Sequence, residues 1–414
     1  DRRRVGSTPT THIGRGPVNA SVAGVQLGVA QAGIKKVDRD DLVVIALAPG
    51  TCTAALFTRN AFRAAPVQIA EANLATVEAQ PRYLMINTGN ANAGTGEAGI
   101  QSASECCDTL ARLTETEATA VLPFSTGVIG EPLSADLISA ALPGALDNLC
   151  DTGWERAAGA ILTTDTRAKL RSVEVELDGQ CCTITGIAKG AGMICPKMAT
   201  MLAFVATDAA IDVALLNSFL KSAVSASFNR ITVDGDTSTN DAVTLSATGQ
   251  SGIEITAGSE HAEHYEQALT TLMIELAQDI VRDGEGASKF VEIRVTGGES
   301  EAACDQVART VAHSPLVKTA LFASDPNWGR ILAAIGRAGL EDLDTDAVSI
   351  HLNGVLIAEQ GARAASYTEE KGKEAMASED LLIEIALNRG DAGAVIWTTD
   401  LSYDYVRINA EYRT

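Results

Sequence analysis

The sequence predicts an α/β protein of layered (α+β) architecture. Strand-length apolar runs alternate with longer segments of helical periodicity along the chain. Small residues dominate, with 36 glycines and only 4% aromatics among 414 residues, so strands and helices can pack closely. That length is too great for one ordinary core and predicts two or three domains.

The elements follow in order. Residues 42–47 (LVVIAL) form a continuous apolar run that predicts a buried strand. Residues 83–86 (YLMI) predict another, which runs into a polar, Gly-rich loop over 87–96. Residues 97–113 read as a helix, and 118–124 as a strand ending in Ser125-Thr126-Gly127. The stretch 132–162 is mainly helical and closes on Thr163-Thr164-Asp165-Thr166. Residues 171–177 and 180–187 flank Asp178-Gly179, a favoured hairpin turn. The Gly- and Pro-bearing stretch 189–200 predicts a loop, and residues 201–206 (MLAFVA) a strand directly after Thr200. Helices are predicted over 212–227 and 263–282. The second carries Tyr265, Leu269, Leu272, Met273, Leu276 and Ile280 on one face. Strand-like segments then recur at 290–295, 347–358, 380–387 and 393–399. A boundary near 290–300 divides a larger unit, 20–290, from a C-terminal unit, 291–414.

Charge and cysteine usage narrow the function. The chain has 32 basic and 53 acidic residues, a net charge of −21. Such a surface repels phosphate backbones, which disfavours nucleic acid and anionic membranes as partners. No apolar run approaches the ~20 residues of a membrane span. The eight cysteines include two adjacent pairs and no CxxC, so they read as reduced, mostly buried thiols of a cytoplasmic protein rather than zinc ligands. His261 and His264 form an HxxH on a helix without a third ligand, and no metal site is expected. The Arg-bearing segment 1–17 lacks the apolar core of a secretory signal and reads as a disordered extension.

Two segments could carry chemistry. Gly94-Thr95-Gly96-Glu97-Ala98-Gly99 is a literal GxGxxG, with Glu115 and Glu117 about 20 residues on, the pattern of a dinucleotide-dependent oxidoreductase. Its spacing objects, because residues 87–93 separate the strand end from the first glycine. The second segment is centred on Thr200. A threonine hydroxyl is a poor nucleophile without a neighbouring base. If the Ala199–Thr200 bond is cut, the new α-amine of Thr200, with a pKa near ~7.7–8.0, supplies that base. A strand starting at Met201 would fix this terminus on a rigid element.

The wording of four segments adds a resemblance. Residues 189–202 (KGAGMICPKMATML), 227–241 (SFNRITVDGDTSTND), 324–330 (SDPNWGR) and 400–414 (DLSYDYVRINAEYRT) resemble the ornithine acetyltransferase family, the bifunctional arginine biosynthesis proteins. The likeness runs in order from about Gly24 to the last residue. It departs at Lys197, where the family often has asparagine, and at Gly94, where a cysteine is common.

The resemblance implies an N-terminal-nucleophile-like fold made as one precursor. The precursor would cleave itself into an α chain, 1–199, and a β chain, 200–414, that stay associated and pair as dimers of αβ units. It further implies transfer of an acetyl group from N2-acetylornithine to glutamate through an acetyl-Thr200 intermediate, without a cofactor; some members also use acetyl-CoA as donor. Matched residue by residue, Thr200 is the nucleophile, and Thr126 and Gly127 form the oxyanion hole. Thr166, Lys189, Glu285, Asn409 and Thr414 contact substrate, with Lys189 expected to pair with a substrate carboxylate and Glu285 to receive the cationic end of ornithine. Two further readings stand beside this one. A self-cleaving, aminopeptidase-like amide hydrolase would need no glutamate to turn over, and a non-catalytic binding protein would remain one unbroken chain.

Overall fold

The structure, a computed structural model, describes residues 14–15, 21–195 and 201–412. Two sheets lie face to face and are covered on their outer sides by helices, giving four layers. One sheet has the strand order Val25–Ala30, Leu42–Leu47, Tyr83–Asn90, Val121–Val128. The other runs Gly14–Arg15, Lys169–Leu177, Gln180–Lys189, Leu202–Thr207, Ala242–Ala247, Cys52–Phe57.

Side-chain alternation explains the stacking. In the Leu42–Leu47 strand, Val43 and Ile45 point between the sheets, while Leu42 and Val44 meet the outer helices. In the Leu202–Thr207 strand, Leu202, Phe204 and Ala206 face inward, and Ala203 and Val205 face the opposite helices. A strand buried on both faces needs apolar residues at every position, which is why these two runs are continuous. Phe124 and Phe204 meet edge to face across the inter-sheet core, with ring centroids 5.0 Å apart. Helices Gly96–Thr114 and Ala135–Asp147 cover one outer face. Helices Val213–Ala226 and Glu260–Arg282 cover the other.

A third sheet, built from residue 290 onward, has its own core against helices Glu301–Ala312, Pro315–Phe322 and Trp328–Gly336. The α/β layered class and the smaller C-terminal α/β unit are therefore as the sequence predicts.

Local chemistry sets the boundaries. Asp178 and Gly179 both adopt positive φ (51° and 77°), so the Lys169–Leu177 and Gln180–Lys189 strands form the expected hairpin. Asp212 caps Val213–Ala226 by accepting from the N–H groups of Ala214 and Leu215, and Ser259 caps Glu260–Arg282 through Ala262.

Several expectations need correction. The strand predicted over 83–86 continues to Asn90, because its parallel neighbour offers partners along the whole length, Asn87 opposite Ser125 and Gly89 opposite Gly127. Ser125-Thr126-Gly127 accordingly lies inside the Val121–Val128 strand, and residues 118–120 form a single 3-10 turn. The stretch 132–162 is two helices, Ala135–Asp147 and Trp154–Ala160. Between them, Asn148 stands in for a strand partner, donating to the Val29 carbonyl and accepting from its N–H, both at 2.9 Å. The segment 347–358 is a hairpin, Ser349–Leu352 and Val355–Glu359, around Asn353-Gly354. Within segment 1–17, Gly14–Arg15 pairs with Lys169–Leu177 instead of forming part of a disordered extension; the remainder lies outside the described residues.

All eight cysteines are free thiols, and five are buried. His261 sits in the first turn of its helix with Nε2 2.9 Å from an Asp178 carboxylate oxygen. Among the described residues there is no group of acids, histidines and cysteines placed to hold a metal, and no helix long and apolar enough to cross a membrane.

Candidate active site

The GxGxxG segment is occupied by its own side chains. Gly94 and Gly96 take positive φ (67° and 58°) to turn the chain from the Tyr83–Asn90 strand into the next helix. Asn92 donates to the Gly99 carbonyl at 2.9 Å and accepts from the Thr95 hydroxyl at 2.9 Å. These two side chains fill the space over the helix N-terminus where a pyrophosphate would need to lie. The segment is a helix entry.

The second candidate segment leads into a cavity of about 290 Å³ at one end of the paired sheets. Thr126, Gly127, Lys189, Glu285 and Asn409 all line it, together with Asp241 and Tyr412. They arrive from five places: the end of Val121–Val128, the last residue of Gln180–Lys189, the start of Ala242–Ala247, the turn after Glu260–Arg282, and the C-terminal helix Tyr403–Ala410. Thr166 does not line the cavity. It is exposed behind the wall and gives both its N–H and its hydroxyl to Asp283. Ala199, Thr200 and Thr414 lie outside the described residues; Met201, bonded to Thr200, lines the cavity.

Two glycines are required by close approach. A Cβ on Gly127, whose φ is +137°, would lie 2.3 Å from the Gly89 carbonyl carbon. A Cβ on Gly192 would lie 2.4 Å from the Glu285 carboxyl carbon. Gly127 therefore lets two parallel strands meet at the cavity wall, and Gly192 makes room for an acid.

The electrostatics centre on a buried ion cluster. Lys169, 1% exposed, bridges Asp165 at 2.7 Å and Asp283 at 2.6 Å. Lys189, also buried, donates to the hydroxyls of Thr126 (3.1 Å) and Thr163 (2.9 Å) and stands 4.0 Å from Asp165. Two cations face two carboxylates, so the cluster is balanced without solvent. Burial lowers the Lys189 pKa, and Asp165 opposes that shift. Burial alone would raise Asp165, but Lys189, Lys169 and the Gly190 N–H hold it down at about 2. Because Thr126 accepts from Lys189, its own hydroxyl hydrogen remains available to a second partner.

The other wall carries two acids. Glu285, buried, accepts from Asn409 Nδ2 at 2.6 Å, a charge-assisted bond that ties the C-terminal helix to the site. Asp241 is 2% exposed, and its Oδ2 has no hydrogen-bond partner. Burial raises its pKa well above the usual carboxylate range, outweighing the nearby Ser238, Lys189 and Met201 N–H, so it favours the neutral acid.

Residue-by-residue reasoning did not single out Asp165, Lys169, Asp234 or Asp241. Asp234 fixes the turn at Met193–Ile194 by accepting from the N–H groups of Met193 (2.6 Å) and Ile194 (2.9 Å) and from the Tyr405 hydroxyl (3.1 Å). A signal did exist: Asp234 and Asp241 lie in the 227–241 motif, and Asp165 in a threonine-rich turn.

A buried hydroxyl beside a lysine, with acids lining the same cavity as Met201, is an arrangement suited to acyl transfer. Comparison with known proteins agrees. The ArgJ family model matches residues 26–414. The chain belongs to the ArgJ family. An "Arginine biosynthesis bifunctional protein ArgJ" of Pseudomonas syringae pv. tomato is 53% identical to it over 97% of this chain and 100% of that protein. The protein of the same name from Methylococcus capsulatus is 54% identical over 95% of this chain and 96% of its own length. A crystal structure of an arginine biosynthesis bifunctional protein ArgJ from Bacillus halodurans is 39% identical. It covers 51% of this ArgJ-family chain and 99% of its own chain, with a TM-score of 0.49.

Proposed function

We propose that this chain is an acetyltransferase of arginine biosynthesis, moving acetyl from N2-acetylornithine to glutamate through an ester on Thr200. The observation that carries this is the match to ArgJ proteins over nearly the whole chain, at 53% identity. The cavity supports it by gathering Thr126, Gly127, Lys189, Glu285 and Asn409 beside Met201.

Self-cleavage comes first. The Thr200 hydroxyl attacks the Ala199 carbonyl, the peptide nitrogen takes the proton, and water hydrolyses the resulting ester. This leaves an Ala199 carboxylate and a Thr200 α-amine. In the transfer step, that amine accepts the hydroxyl proton as Oγ attacks the acetyl carbonyl of N2-acetylornithine. The Thr126 hydroxyl and the Gly127 N–H stabilise the oxyanion. The C–N bond then breaks, and the proton passes to the departing ornithine amine. Glutamate's amine attacks the acetyl ester in reverse, releasing N-acetylglutamate and restoring the Thr200 hydroxyl. Lys189 orients Thr126 and is placed to meet a substrate carboxylate, Glu285 and Asn409 receive the cationic end of ornithine, and Thr166 supports the site through Asp283. Thr414 is assigned to substrate contact by its place in the motif.

The same reading carries use of acetyl-CoA as a second donor, dimers of αβ units and a cytoplasmic location. Intact-mass measurement of the purified protein tests the core of it. Two chains of 199 and 215 residues are expected, against one uncut, inactive chain for Thr200→Ala. A Thr200→Ala protein that still splits or still transfers acetyl overturns the proposal. Turnover of N2-acetylornithine at full rate without glutamate would instead favour an amide hydrolase.

A further inference from the structure

A second cavity of about 320 Å³ adjoins the first and shares Gly127, Thr163, Thr164 and Tyr412 with it. We propose that this chamber receives the anionic end of a substrate whose reacting end lies in the acyl cavity. The inference deepens the acetyl-transfer reading and rests on it.

The chamber's outer wall is the loop between the Val25–Ala30 and Leu42–Leu47 strands, which brings Lys35, Lys36 and Arg39 to one opening. In a chain with a net charge of −21, this chamber is lined by three cations against two acids, Asp41 and Glu411. Two of them build the wall. Arg39 donates to the Leu162 carbonyl, and Lys35 donates to the Tyr412 carbonyl at 2.9 Å with its ammonium 5.0 Å above the Tyr412 ring. Lys36 is exposed and makes no hydrogen bond or ion pair among the described residues, so its charge is available to a ligand.

Carboxylates are also near. Asp41 lines the chamber, but its two oxygens accept from the N–H groups of Ala32 (2.6 Å) and Ile34 (2.8 Å). Asp40 pairs with Arg156 at 2.8 Å, while Glu411 lines the rim and Asp38 lies exposed on the same loop. Of the three cations, Lys36 is the one without a hydrogen bond or ion pair among the described residues. Because Gly127 lines both chambers, a ligand with its acyl-bearing end beside Thr126 can extend past Gly127 toward Lys36. Two sources supply such an anion: the side-chain carboxylate of the dicarboxylic acceptor, or the phosphates of a phosphate-bearing acyl thioester donor. Electrostatic focusing in a cleft favours either, and neither requires ornithine to use the chamber.

Lys36→Glu in the full-length protein tests this, because an exposed, unbonded side chain can be reversed without disturbing the core. Steady-state kinetics are measured with N2-acetylornithine, glutamate and acetyl-CoA varied in turn. The expected result is a KM raised about tenfold for one anionic substrate, with kcat within about twofold and the KM for N2-acetylornithine unchanged. At about 1 M salt, where screening acts within ~3 Å, wild type and variant should converge. A rise for glutamate alone assigns the chamber to the carboxylate, and a rise for acetyl-CoA alone to phosphate. No rise for either, or an equal rise for all three substrates, overturns the inference. If the wild type transfers no acetyl at all, the parent reading fails separately. Calorimetric titration of both proteins with glutamate and with coenzyme A then decides: weaker binding of either by Lys36→Glu supports the chamber, and equal binding refutes it.

Discussion

Replacing Gly192 with alanine isolates the role of one acid. The Gly192 backbone needs no left-handed φ, so alanine is allowed locally, but its Cβ would sit 2.4 Å from Glu285 Cδ and 2.5 Å from both carboxylate oxygens. Ordinary contact begins near 3.4 Å, so the carboxylate must retreat by about 1 Å. That movement breaks the 2.6 Å bond from Asn409. A hydrogen bond to a charged group contributes about 1.5–3 kcal/mol, equivalent to ~10- to 150-fold in binding. A 1 Å misplacement of a substrate-positioning group also costs up to ~10²-fold. Because the displaced atoms are the free end of a flexible side chain, the fold itself should lose less than about 1–2 kcal/mol. Gly192→Ala should therefore raise the KM for N2-acetylornithine by ~10- to 100-fold while Tm falls by only a few degrees. Steady-state kinetics and calorimetry on one preparation check both halves. A KM within twofold of wild type, in a protein that folds normally, would remove Glu285 from the ornithine side of the site.

Three other outcomes follow from the geometry. Gly127→Ala sets a Cβ against backbone atoms at 2.3–2.6 Å with φ at +137°, so it should cost about 3 kcal/mol or more and abolish transfer; wild-type melting would refute that packing. Asp165 has a folded pKa of about 2, below the ~3.9 of an unfolded aspartate, so its contribution is complete above pH ~4 and is lost as pH falls through ~2. Asp165→Asn should flatten the acid side of the stability profile by about 2 kcal/mol, and an unchanged profile in urea titrations would contradict the cluster. Asp241 has the opposite sign: its raised folded pKa makes stability greatest below the unfolded value and lowers it as pH rises toward the folded one. Asp241→Asn should remove up to ~1.4 kcal/mol of that decline per pH unit, which thermal unfolding between pH 4 and 8 will register or deny.

How much of this was legible depended on burial. The Leu42–Leu47 and Leu202–Thr207 strands announce themselves because both faces are covered, which forces uninterrupted apolar sequence. In the same sheet as Leu202–Thr207, Ala242–Ala247 (AVTLSA) is equally interior and the edge strand Cys52–Phe57 (CTAALF) half-buried, and both interrupt their apolar sequence with hydroxyl-bearing residues, Thr53 and Ser246 bonding to each other across the pair at 2.9 Å. Neither forms an unbroken apolar run. The site divides similarly. Thr126, Gly127, Lys189, Glu285 and Asn409 stand in recognisable wording, whereas Lys169 looks like an ordinary strand lysine, since the Asp283 that explains its burial is 114 residues away. Pairings that depend on folding leave no local trace.

The interleaving of the larger inner sheet has one more consequence. Its Gln180–Lys189 strand comes from before the expected cut, and the next two strands in the sheet, Leu202–Thr207 and Ala242–Ala247, come from after it. Cys52–Phe57 then returns to the earlier half at the edge. Lys169 in turn clasps an acid from each half. A nicked molecule built this way has no seam: pulling the fragments apart would mean unzipping ladders in the middle of a sheet and stranding a buried cation. Its melting point should be indifferent to dilution, as though the backbone had never been opened.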